Sequence, residues 1–309
     1  MFDIIILLIA FALTSLVSGN NLPVCAGSII ASKMVSRKRG ILLTILGYIA
    51  GLTGEGRFLS GSISPLLPHS YFLIIALFVI SILIFIFAYF QKIPQSLSII
   101  FTSAIIGMDL ALSIAIDREF ILKLFLFWFV IPLFSIFFSL FLMKFLYKLK
   151  PTKNIWASLK EIRIFSIAAA FLTAFTLGAN TFGLLLVSIS QYSYTFIAMI
   201  LGIIFGSIFL NKQVLKRISN EIISIRSLNS VVSQASSFIF VELATLVGVP
   251  LSNTQIFVTS LYGTAFSYKY RLLIKKTMVS IIYSWVLLIV LSIAASFIFV
   301  LLLRHFIAI

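Results

Sequence analysis

Apolar and polar residues follow one another along this chain in long blocks. Ten apolar blocks, roughly 3–32, 41–58, 70–90, 94–116, 121–143, 162–190, 192–210, 227–247, 250–267 and 277–303, run from end to end. About 20 consecutive apolar residues cross the hydrocarbon core of a bilayer as a helix. The pattern therefore predicts an all-α polytopic membrane protein of about ten spans; a β-barrel would show short period-two segments instead. The run 4–17 has Asp3 before it and no basic leader, so it is expected to be part of the first span and not a signal peptide. The extended hydrophilic stretches are 144–161 and 211–226.

Two blocks are unusually long because each holds a polar interruption. The first is Ser18-Gly19-Asn20-Asn21-Leu22-Pro23; the second, about 160 residues on, is Leu177-Gly178-Ala179-Asn180-Thr181-Phe182-Gly183. Glycine loosens a helix and proline removes a donor, so both stretches are expected to break their helices. Some 70 residues after each comes a proline-led polar cluster, Pro94-Gln95-Ser96-Leu97-Ser98 and Pro250-Leu251-Ser252-Asn253-Thr254-Gln255. Pro94 and Pro250 suit the first turn of a helix.

Charge fixes an orientation. Nineteen of the 23 Lys and Arg residues lie in the odd-numbered loops between blocks, among them Lys33, Arg37, Lys92, Lys148, Lys212 and Lys275. The even loops carry Arg57, Arg118 and Lys123 against Glu55, Asp117 and Glu119. Basic loops stay on the cytoplasmic side, which puts both termini outside. Five blocks precede the central basic loop and five follow it. An odd count per copy inverts the second copy, so the chain reads as two inverted five-span repeats with broken helices, 1–150 and 151–309. Blocks three and four, or eight and nine, are alternatively re-entrant hairpins. Inverted repeats of this kind place a small-solute site between them, near the midplane.

The residues at that site can be named. Backbone groups freed at a break must line a cavity or bind something, and a helix start offers amides to an anion. Asn20, Asn21, Asn180 and Thr181 at the breaks, with Ser96, Ser98, Ser252, Asn253 and Thr254 at the clusters, make an oxyanion cradle. Asp109 and Glu242 fall inside apolar blocks, where an ionisable group is a functional candidate; with Asn21, Thr181 and Gln255 they are the candidates for a coupling ion.

Composition narrows the rest. Of 309 residues 61% are hydrophobic and 10% charged, with a formal net charge of +15. The basic residues sit in short loops, which points to lipid head groups and not to nucleic acid. Cys25 is the single cysteine, and His69 and His305 are far apart near span ends. No His-x-x-x-His, Gly-x-Ser-x-Gly or Walker pattern appears, so neither an enzyme nor an ATP-driven pump is expected. The 32 Phe and the three Trp (Trp128, Trp156, Trp285) are expected to face lipid or its interface.

The order Gly-Ala-Asn-x, then Gly-x-Pro-x-Ser-x-Thr, resembles the inorganic phosphate transporter (PiT) family. That family has Gly-Ala-Asn-Asp and Gly-Leu-Pro-Val-Ser-Thr-Thr-His in each half. Gly178-Ala179-Asn180-Thr181 and Gly248-Val249-Pro250-Leu251-Ser252-Asn253-Thr254-Gln255 follow these closely; Ser18-Gly19-Asn20-Asn21 and Pro94-Gln95-Ser96-Leu97-Ser98-Ile99 follow them loosely. The resemblance implies a secondary active carrier in the cell membrane. It would import inorganic phosphate by cation symport through alternating access, with no cofactor, and it allows a homodimer. Asn21 and Thr181 stand where the family has Asp, and Ile99 and Gln255 where it has His. Sodium and protons both stay open as the coupling ion, and another oxyanion such as sulfate stays open as the cargo.

Overall fold

A computed structural model describes residues 2–31, 33–68, 70–90, 96–148, 155–189, 194–211, 227–267 and 274–306, and among these it is helical with no strand. Each of the ten apolar blocks forms helix. Helix α1 is Phe2–Ala31 and α2 is Arg37–Glu55. A short α3, Ser60–Ile63, and a 3-10 turn lead to α4, Tyr71–Phe90. Then come α5, Leu97–Leu112, and α6, Arg118–Lys148, which contains a π-helical turn at Leu126–Val130. Helix α7 starts at Ile155–Leu177, passes through a π-helical turn at Gly178–Phe182 and ends in Gly183–Ile189. The remainder is α8, Thr195–Phe209; α9, Ser227–Leu246; α10, Asn253–Phe266; and α11, Ile274–Phe306. Pro94, Gln95, His69 and most of the 211–226 stretch lie outside the described residues. The stretch 144–161 is less of a loop than its polarity suggests. Lysines and leucines are good helix formers, and α6 runs on to Lys148 while α7 begins at Ile155.

The first interruption does not break its helix. Ser18–Pro23 lies inside α1, with Pro23 accommodated in mid-helix. A proline there forfeits one intrahelical bond, and the walls around it hold the helix together. Asn21 Nδ2 donates back to Val17 O at 3.0 Å, and Gln234 Nε2 of α9 donates to the carbonyls of Cys25 and Val24. The second interruption is a π-helical turn, not a break. One extra residue widens the coil, a distortion common at functional sites.

Among the described residues four helices are long and apolar enough to cross a membrane unaided: Asp3–Gly27, Arg118–Lys148, Leu159–Ile189 and Ile282–Arg304. Helices α5 and α10 have 16 and 14 residues. At 1.5 Å per residue they are about 24 and 21 Å long, short of a core about 30 Å thick. Both are sheathed by other helices. Residues Asn253–Leu261 of α10 are all buried, as is most of α5. The outer surface belongs to helices such as α6 and α11, whose Phe134, Phe137, Phe141, Val290, Ile298 and Leu302 are exposed.

The packing runs crosswise between the two halves of the chain. Helix α1 lies along α8 and α7 along α2; α5 lies along α11 and α10 along α6. Two Gly-x-x-x-Gly pairs make the central contacts close. A Cβ at Gly47 would stand 3.0 Å from Phe171 O, and one at Gly51 would overlap Phe175 O. On the other side a Cβ at Gly202 would stand 2.7 Å from Phe11 O, and one at Gly206 would overlap Ser15 O. Small residues at this spacing let membrane helices approach to backbone contact.

Candidate functional site

The site is built where the starts of α5 and α10 meet the polar stretches of α7 and α1. Ser96 caps α5, its hydroxyl accepting from Ile99 N–H at 3.3 Å; Ser252 caps α10, accepting from Gln255 N–H at 3.1 Å. Ser, Thr and Asn at this place satisfy one of the free amides of a first turn and leave others. Pro250 is not in the first turn of α10 as its position suggested. It precedes the cap, because the chain enters the helix through an extended Ser252 with φ −79° and ψ 106°.

The second residue of each capped helix carries a hydroxyl that reaches the other half of the chain. Thr254 of α10 donates to Asn21 Oδ1 of α1 at 3.0 Å. Ser98 of α5 shares a hydrogen bond with Thr181 of α7 at 3.3 Å. All four residues are buried, between 1% and 8% exposed. Ser98 holds in the first cluster the place that Thr254 holds in the second, and Asn21 and Thr181 correspond in the same way. The two bonds are thus one contact made twice, each time across the halves.

The remaining site residues divide. Asn180 is spent on the fold: Nδ2 donates to Thr245 Oγ1 and Val249 O, both at 3.0 Å, and Oδ1 accepts from Leu251 N–H at 2.9 Å. It holds the chain that turns from α9 into α10, where Gly248 has a φ of +72°. Asn253 is similarly engaged, taking the Ser237 hydroxyl on Oδ1 and donating Nδ2 to Thr173 O at 3.0 Å. Both amides are thus hydrogen-bonded within the chain, to α9, to α7 and to the approach to α10. Asn20 is half-buried. Gln255 is 2% exposed, and its Oε1 is enclosed without a hydrogen-bond partner.

Of the two acids Asp109 is enclosed, while Glu242 is half-buried. Asp109 is 1% exposed, with both carboxyl oxygens unpartnered. It lies eleven residues beyond Ser98 on α5, about 16 Å along the helix, and so stands apart from the paired bonds. Glu242 of α9 touches Glu55 at the end of α2 within hydrogen-bonding reach. It is one turn from Thr245, hence close to Asn180. Among the described residues no group of three His, Cys, Asp or Glu is arranged to hold a metal ion.

Sequence reasoning missed several parts. Trp128 and Trp285 are each 6% exposed and not lipid anchors, and Trp128 Nε1 donates to Pro250 O at 2.8 Å, bracing α6 against the approach to α10. The side chain of Trp156 lies outside the described residues. Cys25 is buried beside the Tyr48 hydroxyl at 3.5 Å. An open cleft of about 320 Å³ past the end of α2 is lined by Arg57, Ser60, Ser64 and Val187. The Gly-x-x-x-Gly pairs were visible in the sequence as a spacing; the bracing by Trp128 and the framing by Asn180 had no sequence signal.

Known proteins share the fold and much of the sequence pattern. A solved structure titled "The sodium-dependent phosphate transporter" superposes with a TM-score of 0.86, covering 99% of this chain and 100% of that one at 14% identity, which establishes the fold. A protein of Methanocaldococcus jannaschii named "Putative phosphate permease" is 23% identical over 296 residues, 94% of this chain and 95% of its own length. The Phosphate transporter family matches over residues 17–161 and 157–296, nearly the whole chain, with one capped cluster inside each stretch. The chain therefore belongs to the phosphate transporter family.

Proposed function

We propose that this protein carries inorganic phosphate across the cell membrane by alternating access, in symport with a cation. One observation carries the reading most: the contact between capped helix and polar stretch is made twice, as Asn21–Thr254 and Ser98–Thr181, each time across the halves. A phosphate between them would meet hydroxyls from both halves and the free first-turn amides of α5 and α10. It needs many donors, and a helix N-terminus supplies them at a favourable potential. The cleft with Arg57, Ser60 and Ser64 lies past α2, on the side to which the loop charges assign the exterior, and offers a first cationic contact to an arriving anion.

On this reading residues 1–150 and 151–309 are inverted repeats. The helix packing supports it: exchanging α1, α2, α4, α5, α6 for α7, α8, α9, α10, α11 turns the pair α1–α8 into α7–α2, and α5–α11 into α10–α6. The short α5 and α10 then belong to re-entrant hairpins with α4 and α9, and both termini lie outside. Rocking one bundle against the other breaks and remakes the paired bonds, which join the two halves without covalent constraint.

The coupling cation on this reading is sodium. Oxygens of Asn21 and Thr181 replace the family's carboxylates, the unpartnered Gln255 Oε1 adds a further oxygen, and hard cations accept neutral oxygen donors. A specific contact favours a second reading, in which the Glu242–Glu55 pair takes a proton as the coupling ion. Binding to the purified protein separates these. Phosphate should bind saturably, tighter with sodium than with choline, and sulfate should not compete. Binding indifferent to sodium but lost in Glu242→Gln would favour the proton; sulfate binding in preference would overturn phosphate as the cargo.

A further inference from the structure

The face of α9 that looks into the site continues beyond it. Thr245 meets Asn180 of α7 and Ser237 meets Asn253 of α10. Going back along α9 from Ser237, Ser233 and Ser230 come at four and then three residues, which keeps them on that same face. Helices α9 and α10 are joined by six residues and pack side by side, so seven residues back on α9 comes level with seven residues forward on α10. That place on α10 is Ser260. Ser230 and Ser260 thus come level about 10 Å from the Ser237–Asn253 contact, with Ser233 about 6 Å from it on the same face.

These hydroxyls behave unlike their neighbours. A Ser or Thr in a helix ordinarily donates to the carbonyl four residues back, as Ser236 does to Val232 O and Thr259 to Gln255 O, both at 2.8 Å. Ser230, Ser233 and Ser260 are 2%, 0% and 0% exposed, and none of their hydroxyls has a partner. Buried polar groups are almost always satisfied, so three unpaired ones on adjoining faces of one helix pair mark a place that something polar occupies.

At the three equivalent places the other half of the chain is apolar. Helix α4 has the same 20 residues as α9, and α5 comes after it at the same interval as α10 after α9. The places matching Ser230, Ser233 and Ser260 are Ile74, Leu77 and Ala104, each at most 1% exposed. Phe78 of α4 and Phe101 of α5 close that level edge to face at 5.2 Å. The three matching places are thus polar in one helix pair and apolar in the other, although Thr102 and Ser103 beside them on α5 are also buried with unpartnered hydroxyls.

We infer that Ser230, Ser233 and Ser260 form a second oxyanion station, between the central site and the membrane face from which α9 begins. The inference rests on the phosphate reading for its ligand and on the loop charges for its side. The basic stretch with Lys212, Lys216, Arg217 and Arg226 precedes α9 in sequence and assigns that face to the cytoplasm. The structure then has its path polar toward the cytoplasm and sealed by Ile74, Leu77 and the Phe78–Phe101 pair toward the exterior.

The test uses Ser233→Cys and Leu77→Cys, made singly in the full chain; Cys25, the one native cysteine, is fully buried. Both are exposed to an anionic, membrane-impermeant methanethiosulfonate in right-side-out and inside-out vesicles. Cysteine at 233 should react at least tenfold faster from the cytoplasmic face than cysteine at 77 from either face, and phosphate should slow it severalfold. Reaction no faster than at 77, or fast reaction that neither phosphate nor sulfate slows, overturns the station. Protection by sulfate in place of phosphate keeps the station and overturns phosphate as the cargo. A second variant guards against misfolding: Ser230→Ala with Ser233→Ala and Ser260→Ala should raise the KM for phosphate presented from the cytoplasmic side severalfold and leave the external KM unchanged. Equal KM values on both sides in that variant would also overturn it.

Discussion

A neutral side chain can hold a place that an acid holds in related proteins, and its chemistry is then set by the atoms it offers. Asn21 gives its Oδ1 to Thr254 and turns its amide back to Val17 O. Thr181 offers a hydroxyl to Ser98. Because each pair shares one hydrogen bond, Asn21→Ala and Thr254→Ala should not add. A double-mutant cycle on phosphate affinity should give a coupling of about 1 kcal/mol, roughly fivefold, and additive losses would mean the pair does not act together. Asn180 answers differently. Replacing it by Ala removes three hydrogen bonds and orphans Leu251 N–H, so thermal melts in detergent should show a loss of about 3 kcal/mol. The sequence pointed to both asparagines because amides beside a helix interruption are rare in membranes. It did not separate the one facing Thr254 from the one holding Val249 and Leu251, since those partners lie 65 or more residues away and are brought together only by the fold.

Helices were the most legible part of the chain, and their interiors the least. All ten apolar blocks became helix because backbone polar groups in a bilayer must be satisfied within the segment. Ser18–Pro23 misled for a physical reason. Gly19 and Pro23 have the chemistry of a break, yet Gly19 is where α1 approaches the end of α8, its Cβ position 2.6 Å from Leu210 Cβ. The glycine serves contact, and the helix runs on. The same logic gives a prediction for α2 and α8. Gly51→Ala and Gly206→Ala, each driving a methyl into a facing carbonyl, should cost about 1–3 kcal/mol apiece. Gly54→Ala is the control, for its Cβ position has only the Phe175 ring nearby, at 3.8 Å. Melting temperatures should fall for the first two and hold or rise for the third; a fall at Gly54 alone would contradict the packing.

At the scale of the whole molecule, the chain is a member of the phosphate transporter family and not an enzyme. Its exposed apolar surface is made by helices such as α6, α8 and α11 with their phenylalanines and aliphatics, while the two short capped helices lie inside. If the halves are inverted repeats, both termini lie on the outer face, and tags on either end should be protease-accessible in intact cells; a tag at one end protected would contradict the layout. The loop charges are the sequence feature from which that orientation is proposed. The central claim is that phosphate is bound between those halves by the paired residues and carried across. It is tested most directly by uptake of radiolabelled phosphate into proteoliposomes, wild type against Asn21→Ala with Thr181→Ala, under an inward sodium gradient. The account predicts saturable, sodium-stimulated uptake in the wild type and a loss of at least tenfold in a variant that remains folded and monodisperse. Equal uptake by the two proteins would contradict it.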